Sequence, residues 1–284
     1  MDYYSALNGD AKRYVERLPR KHKKRIKSIP YGLAPINEAN AIARHSLLGD
    51  VVIVSENLRH FYYYMNIALY GQPLGVEIPD CVAAAAIALR IMRTSESFDF
   101  DIDPRGTLPP HIETHFQAMT ARQMEFTFGH EFAHLIEGHL TEQSAPIDAR
   151  VYAFECEFAA DRQAVLLPNT SKKTHQMLSM GAYEVLLHLY FLESVSERGM
   201  LPELSVSLTH PPALERLRSI LDAVESKGSA CRGIVEAGIK AVELMADFVQ
   251  KWVKDADRPD ILTFYGSMYL PSYTARLRED RIEF

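Results

Sequence analysis

Apolar residues recur every three or four positions along most of the chain, which is the spacing of one face of an α-helix. This pattern predicts helices over residues 61–69, 113–137, 149–167, 171–198, 212–224 and 234–253. Residues 1–48 also read as helices, interrupted by the Pro-Tyr-Gly sequence at residues 30–32. Residues 51–55 (VVIVS) are the best candidate for a strand. The sequence therefore predicts a mainly α fold, or α+β with at most a small sheet.

Glycine residues mark the ends of two predicted helices, at Gly138 and Gly199. No repeat or low-complexity segment divides the 284 residues, so we expect a single domain spanning residues 1–284. Residues 1–110 should form a helical or mixed region that covers a cleft, and residues 111–225 should form the core around the cleft. Residues 226–284 should add a C-terminal helix and tail.

The predicted helix 113–137 contains the sequence His130-Glu131-Phe132-Ala133-His134. Histidines four residues apart lie on one face of a helix, so both imidazoles can reach one tetrahedral metal ion. Glu131 can then lie beside the open coordination position, where it could deprotonate a metal-bound water for attack on a carbonyl. H-E-x-x-H is therefore typical of zinc hydrolases. The alternative is that the two histidines merely pack in a core helix.

A third protein ligand is expected on another helix that turns back towards the first. Glu157 and Asp161 are four residues apart in the predicted helix 149–167 and share a face. Glu157 would complete a His₂Glu set, and Asp161 would accept the free ring N–H of a ligating histidine. Glu155 is the rival ligand, but it points away from the shared face. Without the preceding histidines, these carboxylates would indicate only a solvated acidic surface.

A third histidine, His139, follows the motif at a spacing that does not match the metzincins. In that group a glycine and a histidine follow the second histidine by three and six residues. Here Gly138 and His139 follow His134 by four and five residues. We interpret His139 as a helix-terminal residue, favourable near the negative end of the helix dipole, and not as a metal ligand.

Three motifs in this order resemble the gluzincin metallopeptidases of the HtpX and CAAX prenyl protease type. That family has H-E-x-x-H, then E-x-x-A-D on a second helix, then T-H-P before a short helix that contains an arginine. This chain has H-E-F-A-H at residues 130–134, E-F-A-A-D at residues 157–161, and T-H-P at residues 209–211 followed by Arg216. The resemblance covers roughly residues 124–221 and implies a zincin-like core.

The resemblance also implies roles for individual residues. One zinc ion per chain would be held by the two histidines of the first motif and by Glu157, with Glu131 as the general base. In that family the histidine and the arginine of the third motif lie close to the metal, which implies the same for His210 and Arg216. His210 could then donate to a developing oxyanion and Arg216 could support the charge or hold nearby carboxylates. The alternative is that Thr209 and His210 merely cap a helix.

Unlike the membrane-spanning members of that family, this chain has no apolar run longer than residues 81–89, far short of the ~20 residues that a span needs. We therefore expect a soluble branch, with the ImmA/IrrE and Lit-type peptidases as near neighbours. Three widely separated cysteines predict no disulfide framework and a reducing interior. The amino terminus lacks the layout of a signal peptide, so a cytoplasmic location is expected.

A net charge of −6 and a pI near 6.0 argue against a general nucleic-acid binder. One segment differs, because six of the eight positions from Arg20 to Lys27 are Lys or Arg. It could contact nucleic acid, an acidic partner or an anionic membrane surface. The alternative is a solvated helix face or an exposed arm.

The site residues predict a zinc hydrolase, and the resemblance implies a metallopeptidase that hydrolyses an internal bond of a peptide or protein substrate. One alternative is a regulatory protease, responsive to stress or phage, with one dedicated protein target. Another is a non-catalytic zinc-site protein that acts through the segment from Arg20 to Lys27.

Overall fold

A computed structural model of the protein describes residues 8–36, 39–47, 49–93, 108–140, 149–200, 210–225 and 231–255. Within these ranges the fold is mainly helical with one small three-stranded sheet, which confirms the predicted fold class. The helices are α1 (Gly9–Arg17), α2 (Arg20–Ile26), α3 (Glu56–Tyr70), α4 (Ile78–Arg93), α5 (Pro110–Glu137), α6 (Ala149–Leu166), α7 (Lys172–Glu197), α8 (Ala213–Glu225) and α9 (Arg232–Asp255), and a short 3₁₀ helix spans Gln72–Leu74. The strands are β1 (Tyr31–Ala34), β2 (Ala41–Ser46) and β3 (Gly49–Ser55).

The long predicted helices are confirmed with small shifts at their ends. The helix that carries H-E-x-x-H begins at Pro110 and ends at Gly138, whose φ of 76° lies in the left-handed region that glycine adopts without strain. Ser171 caps α7 by accepting a hydrogen bond from the Thr174 N–H, and Gly199 follows the helix with φ 70°.

The helical interpretation of residues 1–48 is wrong in its second half. Helices α1 and α2 are present, but β1 and β2 follow them. Both strands are short, and the segment AIARHS of β2 lacks a clear apolar alternation. β1 pairs parallel with β3, and β2 pairs antiparallel with β3. The central strand β3 is the one that the sequence predicts, and its pairing determines the other two.

The periodicity also fails to predict α4. Its residues 80–91 are all buried, so the run of alanines and aliphatic side chains has no polar face to reveal a helical period. Among the described residues, no helix is both long enough and apolar enough to cross a membrane.

Helix α5 runs through the middle of the helical core and contacts α1, α3, α6 and α7. Two glycines permit close crossings. A Cβ on Gly181 of α7 would lie 2.5 Å from the Arg122 carbonyl oxygen of α5. A Cβ on Gly129, directly before the first motif histidine, would lie 2.5 Å from the ring of Tyr14 on α1. The motif is therefore held in a rigid, tightly packed part of the fold.

Candidate metal site

Three side chains of types that can ligate a metal come together from two helices. His130 and His134 lie one turn apart on α5, with their Nε2 atoms 3.1 Å from each other. Glu157 of α6 faces both rings, with carboxylate oxygens 3.4 Å from His130 Nε2 and 3.3 Å from His134 Nε2. One ligand atom from each residue lies within 4.8 Å of the others. This largely buried His-His-Glu group could hold a metal ion.

The spacing of the group suits a tetrahedral ion. Zinc bonds of about 2.0–2.2 Å imply about 3.3 Å between neighbouring ligand atoms at a tetrahedral angle. The three separations, 3.1, 3.3 and 3.4 Å, lie close to that value. In addition, Glu157 Oε2 is buried and has no hydrogen-bond partner among the described residues. Such an acceptor is costly to leave unsatisfied, and a cation would satisfy it.

The charges around the group also favour a divalent cation. Glu131, Glu157 and Asp161 are buried carboxyl groups, and Arg216 is a buried guanidinium that faces them. When the two histidines are neutral, as metal ligands must be, the ionised Glu157 and Asp161 outnumber the one guanidinium, and Glu131 adds a second uncompensated negative charge in its ionised form. Burial alone would raise the pKa of Glu157, but the neighbouring histidines and Arg216 lower it well below its usual range. This carboxylate is therefore ionised at neutral pH.

Asp161 lies behind His130 and orients it. His130 Nδ1 lies 2.9 Å from Asp161 Oδ1, and because a carboxylate oxygen can only accept, Nδ1 is the donor and Nε2 is the ring nitrogen that faces Glu157. Arg216 of α8 donates from Nε and Nη2 to both oxygens of Asp161, at 2.7 and 2.8 Å. Burial would raise the pKa of Asp161, but Arg216 and His130 outweigh it and lower the pKa to about 2. Asp161 is thus a permanent anion that fixes the tautomer of His130.

The electrostatic pull on His130 is strong. Burial would lower the pKa of its imidazole, but the hydrogen bond to Asp161 and the negative charges of Asp161 and Glu157 raise the pKa to about 10. The same two carboxylates would favour any cation at Nε2. A metal ion is one such cation.

Glu131 lies in the same pocket but is not part of the three-residue group. Burial raises the pKa of its carboxyl group, partly offset by His130 and His134. The backbone of Ala43 lies close enough to this carboxyl group to lower its pKa slightly, so Glu131 faces strand β2. β2 is an edge strand, since among the described residues it pairs with β3 alone.

The second histidine of the group, His134, also has a partner on the far side of its ring. His134 Nδ1 lies 3.0 Å from Nδ1 of His139, which follows the left-handed turn at Gly138. Burial and the nearby His134 lower the pKa of His139 to about 4. His139 is outside the three-residue group. Its contact with His134 was not predicted, because spacing alone does not show how the chain reverses after the helix.

Two further candidates, His210 and Arg216, lie close to Glu157. Nε2 of His210 is 3.5 Å from Glu157 Oε2, and 46% of the His210 side chain is exposed. Arg216 Nη2 is also 3.5 Å from that oxygen. Glu155 is exposed and does not belong to the group. Thr209, which precedes His210, lies outside the described residues.

The basic segment forms helix α2, and several of its cations have partners within the protein. Lys23 and Lys27 form ion pairs with Glu16. Arg25 lies 3.9 Å from Asp50 and donates to the carbonyl oxygen of Ile136, near the end of α5.

Comparison of the chain with protein-family models, curated proteins and solved structures found no match. The functional interpretation therefore depends on the geometry of this site and on the three motifs.

Proposed function

We propose that the protein is a zinc-dependent metallopeptidase. The observation that carries the proposal is the buried group of His130, His134 and Glu157, with Asp161 behind one histidine and Glu131 in the same pocket. Two histidines and one glutamate are a ligand set of catalytic zinc that leaves a fourth position open. The three motifs resemble the HtpX and CAAX prenyl protease type, which supports the same proposal.

Bound zinc would polarise a substrate carbonyl and lower the pKa of a water molecule beside it. The protein supplies the proton transfers. Glu131 accepts a proton from the attacking water on its carboxylate and delivers it to the nitrogen of the leaving amine. Burial raises the pKa of Glu131, which brings this group closer to the neutral pH at which a general base is most efficient.

A peptide substrate is favoured by the position of strand β2. The bond from Ser55 N–H to the Asn40 carbonyl and the register with β3 direct the backbone groups of Ala41, Ala43 and His45 away from β3. An extended peptide can add to such an edge as a further strand. Because the backbone of Ala43 lies near Glu131, a peptide along this edge would pass beside the proposed base.

The alternative of a non-catalytic protein that acts through α2 has less support. Three of its cations, Lys23, Arg25 and Lys27, already contact acidic or carbonyl groups of the protein. A nucleic-acid contact would have to compete with these interactions.

The test separates metal binding from hydrolysis. We expect about one zinc per chain by metal analysis after dialysis, and cleavage of a quenched-fluorescent peptide library by the zinc-loaded protein. Glu131→Gln should retain the zinc and the fold but lose cleavage, because an amide cannot accept the proton. The matched control is Glu137→Gln at an exposed position of the same helix, which should cleave normally. A zinc-loaded wild-type protein that cleaves no peptide, or a Glu131→Gln protein with full turnover, would contradict the proposal.

A further inference from the structure

His130 and His134 of the metal group each have a partner at Nδ1, and the two partners differ in kind. His130 donates through Nδ1 to the carboxylate of Asp161. His134 meets a second imidazole, with 3.0 Å between its Nδ1 and Nδ1 of His139. In each histidine this contact is made by Nδ1, whereas Nε2 faces Glu157.

The end of helix α5 creates the second contact. The His139 N–H donates to the His134 carbonyl oxygen at 3.0 Å, and the Gly138 N–H donates to the Leu135 carbonyl oxygen at 3.3 Å. This pair of bonds is the Schellman pattern, which requires the positive φ that Gly138 adopts. The turn brings the residue five positions after His134 back against its ring, so backbone hydrogen bonds locate the His139 side chain.

The hydrogen-bond roles follow from the geometry. An imidazole that binds a metal through Nε2 is neutral and carries its proton on Nδ1. His134 must therefore donate from Nδ1, and His139 must accept on its own Nδ1 with its proton on Nε2.

We propose that His139 is a positioning residue for the metal site, accepting the Nδ1 proton of His134 and so fixing its tautomer and ring angle. The inference rests on the proposed function, because it assigns to His139 the support of one of the three proposed ligands. The support is neutral, in contrast to the anionic Asp161 behind His130. Partners of this kind are worth roughly 10- to 100-fold in metal affinity.

Two substitutions of His139 distinguish the effect of losing the acceptor atom from the effect of losing the aromatic ring. His139→Phe keeps an aromatic ring but removes the acceptor. His139→Asn removes the ring but can place its Oδ1 near the position of Nδ1. His111→Phe is the matched control, because His111 is exposed on the same helix α5.

The full-length variants are compared by zinc dissociation constant, from competition with a chromophoric chelator, and by the visible absorption of the Co²⁺-loaded proteins. We expect His139→Phe to bind zinc roughly 10- to 100-fold more weakly with an altered Co²⁺ spectrum, and His139→Asn to stay within a few-fold of wild type. His111→Phe should match wild type in both measurements. Circular dichroism of the metal-free proteins checks that each variant is folded, and His139→Ala replaces His139→Phe if the latter is not.

The inference would be overturned if His139→Phe bound zinc as tightly as wild type. It would also be overturned if His139→Phe and His139→Asn lost zinc affinity equally. Neither result would affect the proposed function, provided that the wild-type protein binds zinc and cleaves peptides. A wild-type protein that binds no zinc would overturn both. If the wild-type protein binds zinc but cleaves no peptide, only the proposed peptidase function is refuted. The role of His139 would still be tested, because metal affinity is measured without a substrate.

Discussion

Asp161 shows how a single buried carboxylate organises the site. It accepts three hydrogen bonds, two from Arg216 and one from His130, and is fully buried. Its loss would leave the guanidinium of Arg216 buried without its main partner, which typically costs about 3–5 kcal/mol. Arg216 thus acts on the proposed metal ion indirectly, through Asp161. The hydrogen bonds of Asp161 also join α8 to helices α5 and α6.

The ligand assignment gives the first prediction at the residue scale. Glu157→Ala should lower the zinc content sharply, because it removes a carboxylate that lies 3.3–3.4 Å from both histidine Nε2 atoms. Glu155→Ala is the control, since Glu155 lies on the same helix but is exposed. It should leave the zinc content nearly unchanged in metal analysis after dialysis. Equal zinc retention by the two variants would rule out Glu157 as a ligand.

His210 gives a second prediction at this scale. Its ring is 46% exposed and close to Glu157, so its removal should cost little stability. If it donates to the oxyanion that develops during hydrolysis, His210→Ala should bind zinc and melt almost normally while kcat falls roughly 10²- to 10³-fold with little change in KM. Steady-state kinetics and thermal melts test this. A variant that melts earlier but keeps its turnover per folded molecule would indicate a structural role.

At the scale of elements, the crossing of α1 over α5 holds the motif in place. The Tyr14 hydroxyl donates to the Ala164 carbonyl oxygen of α6 at 2.9 Å, and its ring lies against Gly129. One tyrosine therefore ties α1 to both helices that carry the metal-binding group. The crossing can form only because Gly129 has no side chain.

Gly129→Ala should destabilise the protein. Overpacking costs about 1–3 kcal/mol, whereas replacing glycine by alanine inside a helix gains about 1 kcal/mol. The Tyr14 ring is buried and cannot swing aside, so we expect the overpacking cost to exceed the gain and the free energy of unfolding, measured by urea titration, to fall by up to about 2 kcal/mol. Gly233→Ala is the control, because nothing lies within 4 Å of the added Cβ, and it should be neutral or slightly stabilising. If the two substitutions changed the free energy of unfolding equally little, the α1–α5 crossing would be able to shift and accommodate the added methyl group.

At the scale of the whole molecule, a histidine in the core should make stability depend on pH. His188 is fully buried beside Phe61 and Tyr62, and neither ring nitrogen has a hydrogen-bond partner among the described residues. Burial lowers its pKa to about 3. The unfolded chain, with an ordinary histidine pKa near 6.5, takes up a proton first as the pH falls. The contribution of His188 is therefore fully present above about pH 6.5 and declines as the pH falls towards 3.

The loss attributable to His188 should reach about 2 kcal/mol at pH 5. His188→Leu should remove this part of the decline, so the free energies of unfolding of variant and wild type should converge or cross between pH 7 and pH 5. His111→Leu, at an exposed position, should leave the pH dependence unchanged. Urea titrations at several pH values measure the difference. Parallel pH curves for His188→Leu and wild type would show that the buried imidazole does not titrate as argued.

Several features follow from the sequence alone because they are local. Four-residue spacing puts His130 and His134 on one face of their helix, and it puts Glu157 and Asp161 on one face of the next helix. Both placements are independent of the rest of the fold. Gly138 ends α5 for a local reason too, since glycine adopts the left-handed turn without strain. The predicted helices and the mainly α class depend on the same short-range periodicity.

Only the tertiary structure decided which distant groups meet. The bidentate contact of Arg216 with Asp161 joins residues 55 positions apart, and the approach of Ala43 to Glu131 brings an edge strand to a helix. Strands β1 and β2 exist because β3 offers them hydrogen-bond partners, which no pattern within residues 31–46 reveals. The contact of His139 with His134 depends on the angle at which the chain leaves the helix. The sequence thus determined the kinds of groups present and their local spacing, whereas the directions in which they face each other arise from packing between segments that are far apart in the chain.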